Sequence, residues 1–395
     1  MKKSLFALAA LSAVAGAAQA QSSVTVYGVL DVGFASTSTR APTSSTSGVV
    51  KSTTNQFDQS RETSSRLGFK GTEDLGGGLS AFFTAETGLT PEAATMSGVN
   101  NRQTFFGLAK KGLGAASIGT QYTVLHNEYT QIDPGSSNNT MGSVLRPAGS
   151  SSGAEAGQYN SSTAYTVSTT NMLIANSESF AGFRANAMLV QNGKNTTVNT
   201  SGTVGGQTNF TGWGLSADYT WHKLYATAAY QSFKQVQQAG GTTPAATLGT
   251  SPALFVDTTT VSSTTNNTDN QTLVGASYDF GILKAYAGWV SRKVSDNSNS
   301  NIYLKRQAQQ IGVRSYITPV IESWALIGNG RYSAFGASAP TANFNAWQLG
   351  SNYYLSKRTN LYAIYGQQVV STAAAGTLSG SASASNYAVG VRHTF

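Results

Sequence analysis

Few side chains in this chain could make or break a covalent bond. The 395 residues include no cysteine and three histidines, His126, His222 and His393, each in a different region. Without cysteine there is no disulfide, thiolate metal site or thiolate nucleophile. The histidines are not spaced as metal ligands. A serine hydrolase would need histidine, serine and an acid on one rim, and no such grouping is legible. Gly76-Gly77-Gly78 lacks the lysine and helix that follow a phosphate loop, so it reads as a tight turn. The basic residues are dispersed, against a nucleic-acid surface. No catalytic residue, metal or cofactor is expected. What remains is fixed charge: Arg66, Lys70, Glu86 and Arg102 in one region, then Glu128, Asp133, Arg146 and Glu155 further on. Charges of opposite sign facing one another create a local field that orients dipolar solutes and concentrates counter-ions.

The elements that must hold these charges read as β-strands. Segments such as Val24–Val32 and Leu224–Tyr230 alternate apolar and polar residues, which puts alternate side chains on opposite faces. Segments of about 10 residues match a tilted strand crossing a bilayer. Short connections near 74–78, 111–114, 178–182, 221–223, 279–281, 318–322 and 355–359 alternate with long Ser/Thr/Asn/Gly-rich ones. The long ones fall near 36–64, 88–101, 122–169, 191–211, 234–270, 293–303, 334–343 and 370–385. Seven short and eight long connections join sixteen strands, the arrangement of an outer-membrane barrel. Closure follows because an open edge would leave backbone groups unpaired in hydrocarbon, and sixteen strands enclose an aqueous lumen. The fold class expected is therefore all-β, a 16-stranded antiparallel transmembrane barrel with short periplasmic turns and long extracellular loops.

Composition agrees. Charged residues make up 11% of the chain, against about 25% in a soluble domain. Lys2 and Lys3, the apolar run Leu5–Ala15 and Ala18-Gln19-Ala20 read as a secretory signal over 1–20, with a mature start at Gln21. Two domains follow, the signal peptide 1–20 and a barrel 21–395 whose third loop is about 122–169. Removing the signal leaves 23 basic residues against 17 acidic, a balance of +6. Tyr353, Tyr354, Trp221, Tyr278 and Phe280 lie beside short turns, where an interfacial aromatic girdle belongs. In the last strand, positions 387, 389, 391, 393 and 395 share one face that reads as lipid-facing.

Parity decides which charges face inward. Leu67 and Phe69 read as lipid-facing, so Arg66 and Lys70 point to the lumen; outward they would cost roughly 2–4 kcal/mol each near the midplane. The same reasoning puts Asp31, Glu86, Arg102, Arg184, Asp218, Arg292, Arg314, Arg331 and Arg392 inside. Counted from the short turns at roughly 3.3 Å per residue, Arg66, Glu86 and Arg102 form one patch at mid-height. Arg184 and Arg392 belong at the periplasmic mouth. An ion pair of Arg66 and Arg102 with Glu86 is compatible with lining a pore.

Three stretches carry a resemblance to a known family: Ser23–Asp31, Ser65–Gly76, and the end Tyr387–Phe395. Asn101-Arg102-Gln103 and Ser356–Thr359 add to it. The chain resembles a Gram-negative general porin of the betaproteobacterial type. The resemblance implies an outer-membrane homotrimer among outer-membrane lipids, a third loop folded into the lumen, passage of small hydrophilic solutes, and no catalytic site. It also implies that the last strand, ending at Phe395, engages the barrel-assembly machinery. The third loop lacks a Pro-Glu-Phe-Gly-Gly stretch seen in relatives, and Gly119-Thr120-Gln121-Tyr122 stands where relatives place an arginine. The constriction must therefore be built from these residues, with Glu128 and Asp133 expected opposite Arg66, Lys70, Glu86 and Arg102.

The wall so read carries eight basic positions against three acidic, which predicts a moderate preference for anions. A second reading is a substrate-specific channel for anionic or sugar-like solutes, with Tyr122, Tyr129 and Tyr159 as a binding track. A third is a structural or adhesive barrel with a plugged lumen.

Overall fold

Strands that alternate in polarity and are joined by tight turns can satisfy every backbone group only by closing on themselves, and this chain does so. The computed structural model describes residues 23–42, 49–92, 95–96, 102–147, 164–196, 206–239, 264–297, 299–301, 303–334, 341–371 and 381–395. The leader 1–20, Glu155 and Tyr159 lie outside the described residues.

The elements are β1 (Ser23–Pro42), β2 (Val49–Gln59), β3 (Arg66–Gly76), β4 (Leu79–Thr90), β5 (Thr95–Met96), β6 (Thr104–Lys110) and β7 (Gly114–Tyr122). After one short helix, α1 (Val124–Tyr129), come β8 (Ser168–Ser177), β9 (Phe183–Thr196), β10 (Gly206–Trp221), β11 (Leu224–Ala239) and β12 (Thr264–Asp279). The chain finishes with β13 (Lys284–Asp296), β14 (Tyr303–Thr318), β15 (Ile321–Ala334), β16 (Thr341–Tyr354), β17 (Thr359–Val370) and β18 (Ala382–Thr394). β2 and β3 both pair with one edge of β1 and form two halves of a single stave. β5 pairs only with Leu89 and Thr90 of β4 and stays outside the barrel. Sixteen antiparallel staves remain, and β1 pairs with β18 along its other edge. The seam is sealed at the periplasmic end, where Gly28 and Phe395 exchange both backbone hydrogen bonds at 3.1 Å.

The short turns stand where the polarity pattern puts them. At the first, Gly76, Gly77 and Gly78 have φ of +84°, +59° and +75°, a region glycine enters without steric penalty. The strand tops differ from expectation. β10, β11, β12 and β14 each run 16 residues, so much of what reads as long loop is paired strand. Above the bilayer the outer face need not be apolar, yet the hydrogen-bond ladder continues; hydropathy alternation marks the lipid edge rather than the strand end.

Outward residues in the lower part of the wall are apolar and exposed, among them Val24, Val26, Leu189, Leu215, Ile311, Ile327 and Leu349. Tyr387, Val389 and Phe395 face outward as parity requires. Tyr353 joins this girdle, whereas Tyr354 turns inward and donates a hydrogen bond to Glu322 at 2.7 Å.

The buried apolar core sits inside the barrel, between the third loop and one side of the wall. Leu125, Tyr129, Ile132, Val144, Leu145 and Tyr165 of the loop pack on Ala229, Leu273, Val290, Ala308, Phe344 and Ala346 of the wall. Burying each such aliphatic side chain contributes roughly 1.5–3 kcal/mol. Small wall residues admit the loop: Gly275 faces Ile132, and the Met141 carbonyl lies so close to Gly366 that a Cβ there would collide with it.

Candidate functional site: the lumen wall and its third loop

The ion-paired side of the lumen is built from neighbouring staves. Gly68 of β3 stands opposite Glu86 of β4, so Glu86 and Arg66 point inward side by side. Arg102 arrives two residues before β6 begins. Glu86 lies 3.5 Å from Arg66 Nε and 3.5 Å from Arg102 Nε. Tyr27 of β1 donates to the same carboxylate at 2.9 Å, and Arg102 Nη2 donates to Tyr122 at 2.8 Å. The patch expected at mid-height is thus assembled, in ion-paired form. Lys70 faces the lumen but stands apart, exposed, with its ammonium 5.2 Å from the Tyr27 ring centre.

An inserted segment was not legible as such. Residues 60–65 read as the end of an extracellular loop, yet they fold into the barrel between β2 and β3. Val29 pairs with Arg66 and Val32 with Gln59, so Leu30 and Asp31 stand opposite six residues. Asp31, expected as a lumen-lining charge, is consumed by this insertion. It accepts the backbone N–H of Glu62 at 2.8 Å and of Thr63 at 2.6 Å, and the Tyr362 hydroxyl at 2.7 Å. The insertion supplies Arg61, paired with Asp58, and Glu62, which lies 3.5 Å from Arg392 Nη1. A signal was present: Asp31 in a strand that otherwise needs no acid, and a polar run too short to leave the barrel.

The third loop crosses to the other side of the wall and is held there by amides and by two arginines, Arg306 donating to the Val144 carbonyl at 2.6 Å and Arg314 to the Pro134 carbonyl at 2.9 Å. Gln348 Nε2 donates to the carbonyls of Thr140 at 3.1 Å and Met141 at 2.8 Å. Gln310 Oε1 accepts from Val144 N and Ser143 Oγ, each at 3.0 Å. Gln271 Oε1 accepts from Thr166 N at 2.6 Å, and Gln231 Nε2 donates to the Thr166 carbonyl at 3.1 Å. The tip reaches the insertion, where Asn139 N donates to the Arg61 carbonyl at 3.0 Å. These four glutamines were missed; inward parity at mid-strand was the available signal.

The loop acids do not confront the arginines. Glu128 is buried and receives four donors from β9–β11: Ser216 at 2.8 Å, Asn186 at 3.1 Å, Tyr225 at 2.6 Å and Thr227 at 2.8 Å. Asp133 is buried too, taking the Ser137 N–H at 2.7 Å and Gln310 Nε2 at 3.3 Å. Burial raises the Asp133 carboxyl above its ordinary range, against the opposing pull of those donors and of Arg146. A carboxylate on a loop gains more from fixed donors than from a charge across water. Arg146 is likewise occupied, bonding the Ser137 carbonyl at 3.2 Å and Asn139 at 3.3 Å. Tyr129 is buried under the loop, and Tyr122 is bonded to Arg102.

Three further pairs of wall charges form across adjacent staves. Arg184 meets Asp218 at 3.1 Å, Arg292 meets Asp269 at 2.6 Å and Arg314 meets Glu322 at 2.6 Å. Arg331 is a correction: Glu322, Trp324, Leu326 and Tyr332 of β15 are buried inside, and Arg331 is exposed on the outer face. It stands ten residues beyond the start of β15, above the hydrocarbon, where the penalty used to turn it inward no longer applies.

Counting signs therefore does not describe this surface, because Asp58, Glu62, Asp269, Asp296 and Glu322 join the inward acids, while Arg61 and Arg306 join the inward bases and Arg331 leaves them. Exposure does. Arg66 keeps 25% of its side chain exposed while Glu86 keeps 7%; for Arg392 and Glu62 the figures are 26% and 6%. Arg184 and Asp218 show 48% and 2%, Arg314 and Glu322 17% and 6%. In the first three pairs the carboxylate lies against the wall and the guanidinium faces water, whereas Arg314 is covered by the third loop and donates to the Pro134 carbonyl at 2.9 Å. Arg292 and Asp269 reverse the order, at 2% and 15%, and Arg102 is as buried as the Glu86 it shares with Arg66, at 5% and 7%.

A closed sixteen-stave barrel with a charged, loop-narrowed lumen has close counterparts. The family model described as Gram-negative porin matches residues 7–373. The chain belongs to that family. An outer membrane porin protein of Bordetella pertussis is 26% identical over 419 residues, covering 100% of both chains. Among solved structures, an anion-selective porin from Comamonas acidovorans superposes with a TM-score of 0.64 at 22% identity, covering 95% of this chain and 100% of its own. The trimer form of the outer membrane protein OmpT from Vibrio cholerae gives 0.58 at 14% identity, covering 95% and 99%. This porin is accordingly an outer-membrane protein.

Proposed function

We propose that this porin passes small hydrophilic solutes and ions by passive diffusion through a water-filled lumen that favours anions. The observation that carries the reading is the exposure order in three ion pairs: the guanidinium groups of Arg66, Arg184 and Arg392 reach water in front of the carboxylates that neutralise them. A passing ion meets the nearer charge more strongly than the farther one, so a neutral pair of this kind still attracts anions. The constriction is assigned to Arg66, Glu86, Arg102 and the inner face of the third loop, with Lys70 below. Glu128 and Asp133 act as loop anchors rather than as a second charged wall.

Reversal potentials of the refolded protein across a planar bilayer in a KCl gradient test this. Chloride should be favoured, and R66Q, R184Q and R392Q combined should move the potential toward ideal non-selectivity. A potential favouring K⁺ in the unmodified protein would overturn it. Burial of Tyr129 gives no support to a tyrosine binding track, so linear flux with solute concentration is expected instead of saturation. Assembly as a homotrimer, maturation before Gln21 and recognition of the Phe395 end by the barrel-assembly machinery belong to the same reading. Cross-linking, N-terminal sequencing and deletion of Phe395 test them.

A further inference from the structure

We propose that an alcove under α1, on the periplasmic side of the constriction, is a binding subsite for a small zwitterion, a free α-amino acid with a polar side chain. The inference rests on the reading of a water-filled lumen, since the ligand must enter from it. The cavity measures about 350 Å³ between α1 and the inner face of β8–β11, at the small end of ligand pockets, which run from about 300 to 1,000 Å³. Among the described residues Val124 is the one aliphatic part of its lining. An apolar solute there would strip polar groups of water without replacing their hydrogen bonds. Arg184 stands one residue and Asn186 three beyond the start of β9, and Tyr225 stands one beyond the start of β11. At roughly 3.3 Å per residue and a tilt near 40°, they lie within about 10 Å of the short-turn rim. That is well below the cluster of Arg66, Glu86 and Arg102.

Charge selects the ligand. One guanidinium, Arg184, and two carboxylates, Glu128 and Asp218, line the cavity, so negative charge is in excess. Exposure runs the other way, because Arg184 is half open while Asp218 and Glu128 are buried. Asp218 takes Nε and Nη2 of Arg184, each at 3.1 Å, which leaves Nη1 without a partner among the described residues. Glu128 has its oxygens filled by the four donors from β9–β11. A simple anion would gain one guanidinium against that excess of negative charge. A simple cation would meet the most exposed charge, which is positive. A molecule with both signs on either side of one carbon satisfies both conditions. Its carboxylate accepts from Arg184 Nη1, and its ammonium lies in the field of the two carboxylates behind. Acceptors for the ammonium are at hand. Asn127, Thr130 and Gln131, spaced three and four apart, share one side of the α1 turn, and Asn127 and Gln131 are exposed there. Asn176 of β8 lines the same cavity. Asn127 and Asn176 spend no side-chain hydrogen bond on the described residues, and Gln131 spends only its nitrogen, on Thr130 at 3.3 Å. Their amide oxygens are open to a donor, whereas Gln310 and Gln348 across the lumen are occupied by the third loop.

The test is a ligand-observed NMR titration of L-glutamine against the detergent-solubilised full-length protein. The unmodified protein should bind it, and R184Q should bind roughly tenfold more weakly, as loss of a hydrogen bond between charged groups implies. N127A/Q131A, altered at exposed positions where folding is not at stake, should also bind several-fold more weakly. N-acetyl-L-glutamine keeps the carboxylate without the ammonium, and L-glutaminamide keeps the ammonium without the carboxylate. Each should bind the unmodified protein as weakly as R184Q binds glutamine. R66Q should keep full affinity, because its site of action is the constriction. Equal binding of the acetylated compound would overturn the zwitterion in favour of a simple anion. Loss of affinity in R66Q but not in R184Q would overturn the alcove, as would absence of binding to the unmodified protein. The titration is read at equilibrium without a current. Absence of binding in a protein that still favours chloride therefore sinks the alcove alone, and a potential favouring K⁺ with glutamine still bound sinks the anion reading alone.

Discussion

The two sides of the lumen solve the same problem with different chemistry. On the side of β1–β6 and β18 the polar groups are charged, paired and reached by water. On the side of β11–β16 four buried glutamines bond the backbone of the third loop, joined there by Arg306 and Arg314. A loop lying inside a barrel carries N–H and C=O groups that must be satisfied. An amide offers both donor and acceptor without bringing a charge into a dry interface, where an ion costs several kcal/mol to desolvate.

The comparison breaks most easily at the amides. Each buried backbone group left unbonded costs about 1–3 kcal/mol, so Q310A/Q348A should free the loop. Single-channel conductance should rise about twofold or more, with greater open-channel noise and protease cleavage within 130–147. Unchanged conductance would mean that the apolar contacts of Leu125, Ile132 and Leu145 hold the loop alone. Next in size is E86Q, which leaves Arg66 and Arg102 without their shared carboxylate. Chloride selectivity should increase several-fold while thermal stability falls, both measurable on the refolded barrel.

A smaller effect separates inward from outward parity. R184Q should shift the reversal potential by several millivolts toward zero, whereas R331Q should leave it unmoved; an equal shift from both would refute the assigned facing of β15. Smallest is the pH dependence of the loop. The Asp133 carboxyl is raised in the folded protein by burial, so the folded state holds its proton to higher pH than the unfolded chain. Its ionisation therefore weakens the loop as pH rises from the ordinary carboxylate range through the raised value. Loop protection from protease should decline across that window, and D133N should flatten the decline.

Much of the site was legible one stave at a time. The cluster of Arg66, Glu86 and Arg102 followed from parity and from equal distance to the short turns. The same logic failed at Arg331, because a rule valid in hydrocarbon was carried above it. It failed at residues 60–65 because hydropathy does not distinguish a polar segment that leaves the barrel from one that enters it. Glu128 and Asp133 were placed in the right loop, but which way a loop side chain turns depends on donors contributed by distant strands. The Ser216, Thr227 and Gln310 that engage them lie 88, 99 and 177 residues away.

The sequence by itself determined the staves, their number, their turns and the face each side chain occupies within the bilayer. Those properties follow from a period of two and from a solvent that changes abruptly at each step. Tertiary structure alone decided which carboxylate stands behind which guanidinium, where the third loop lies and what anchors it. Such contacts join residues far apart in the chain, and no local pattern records their distance.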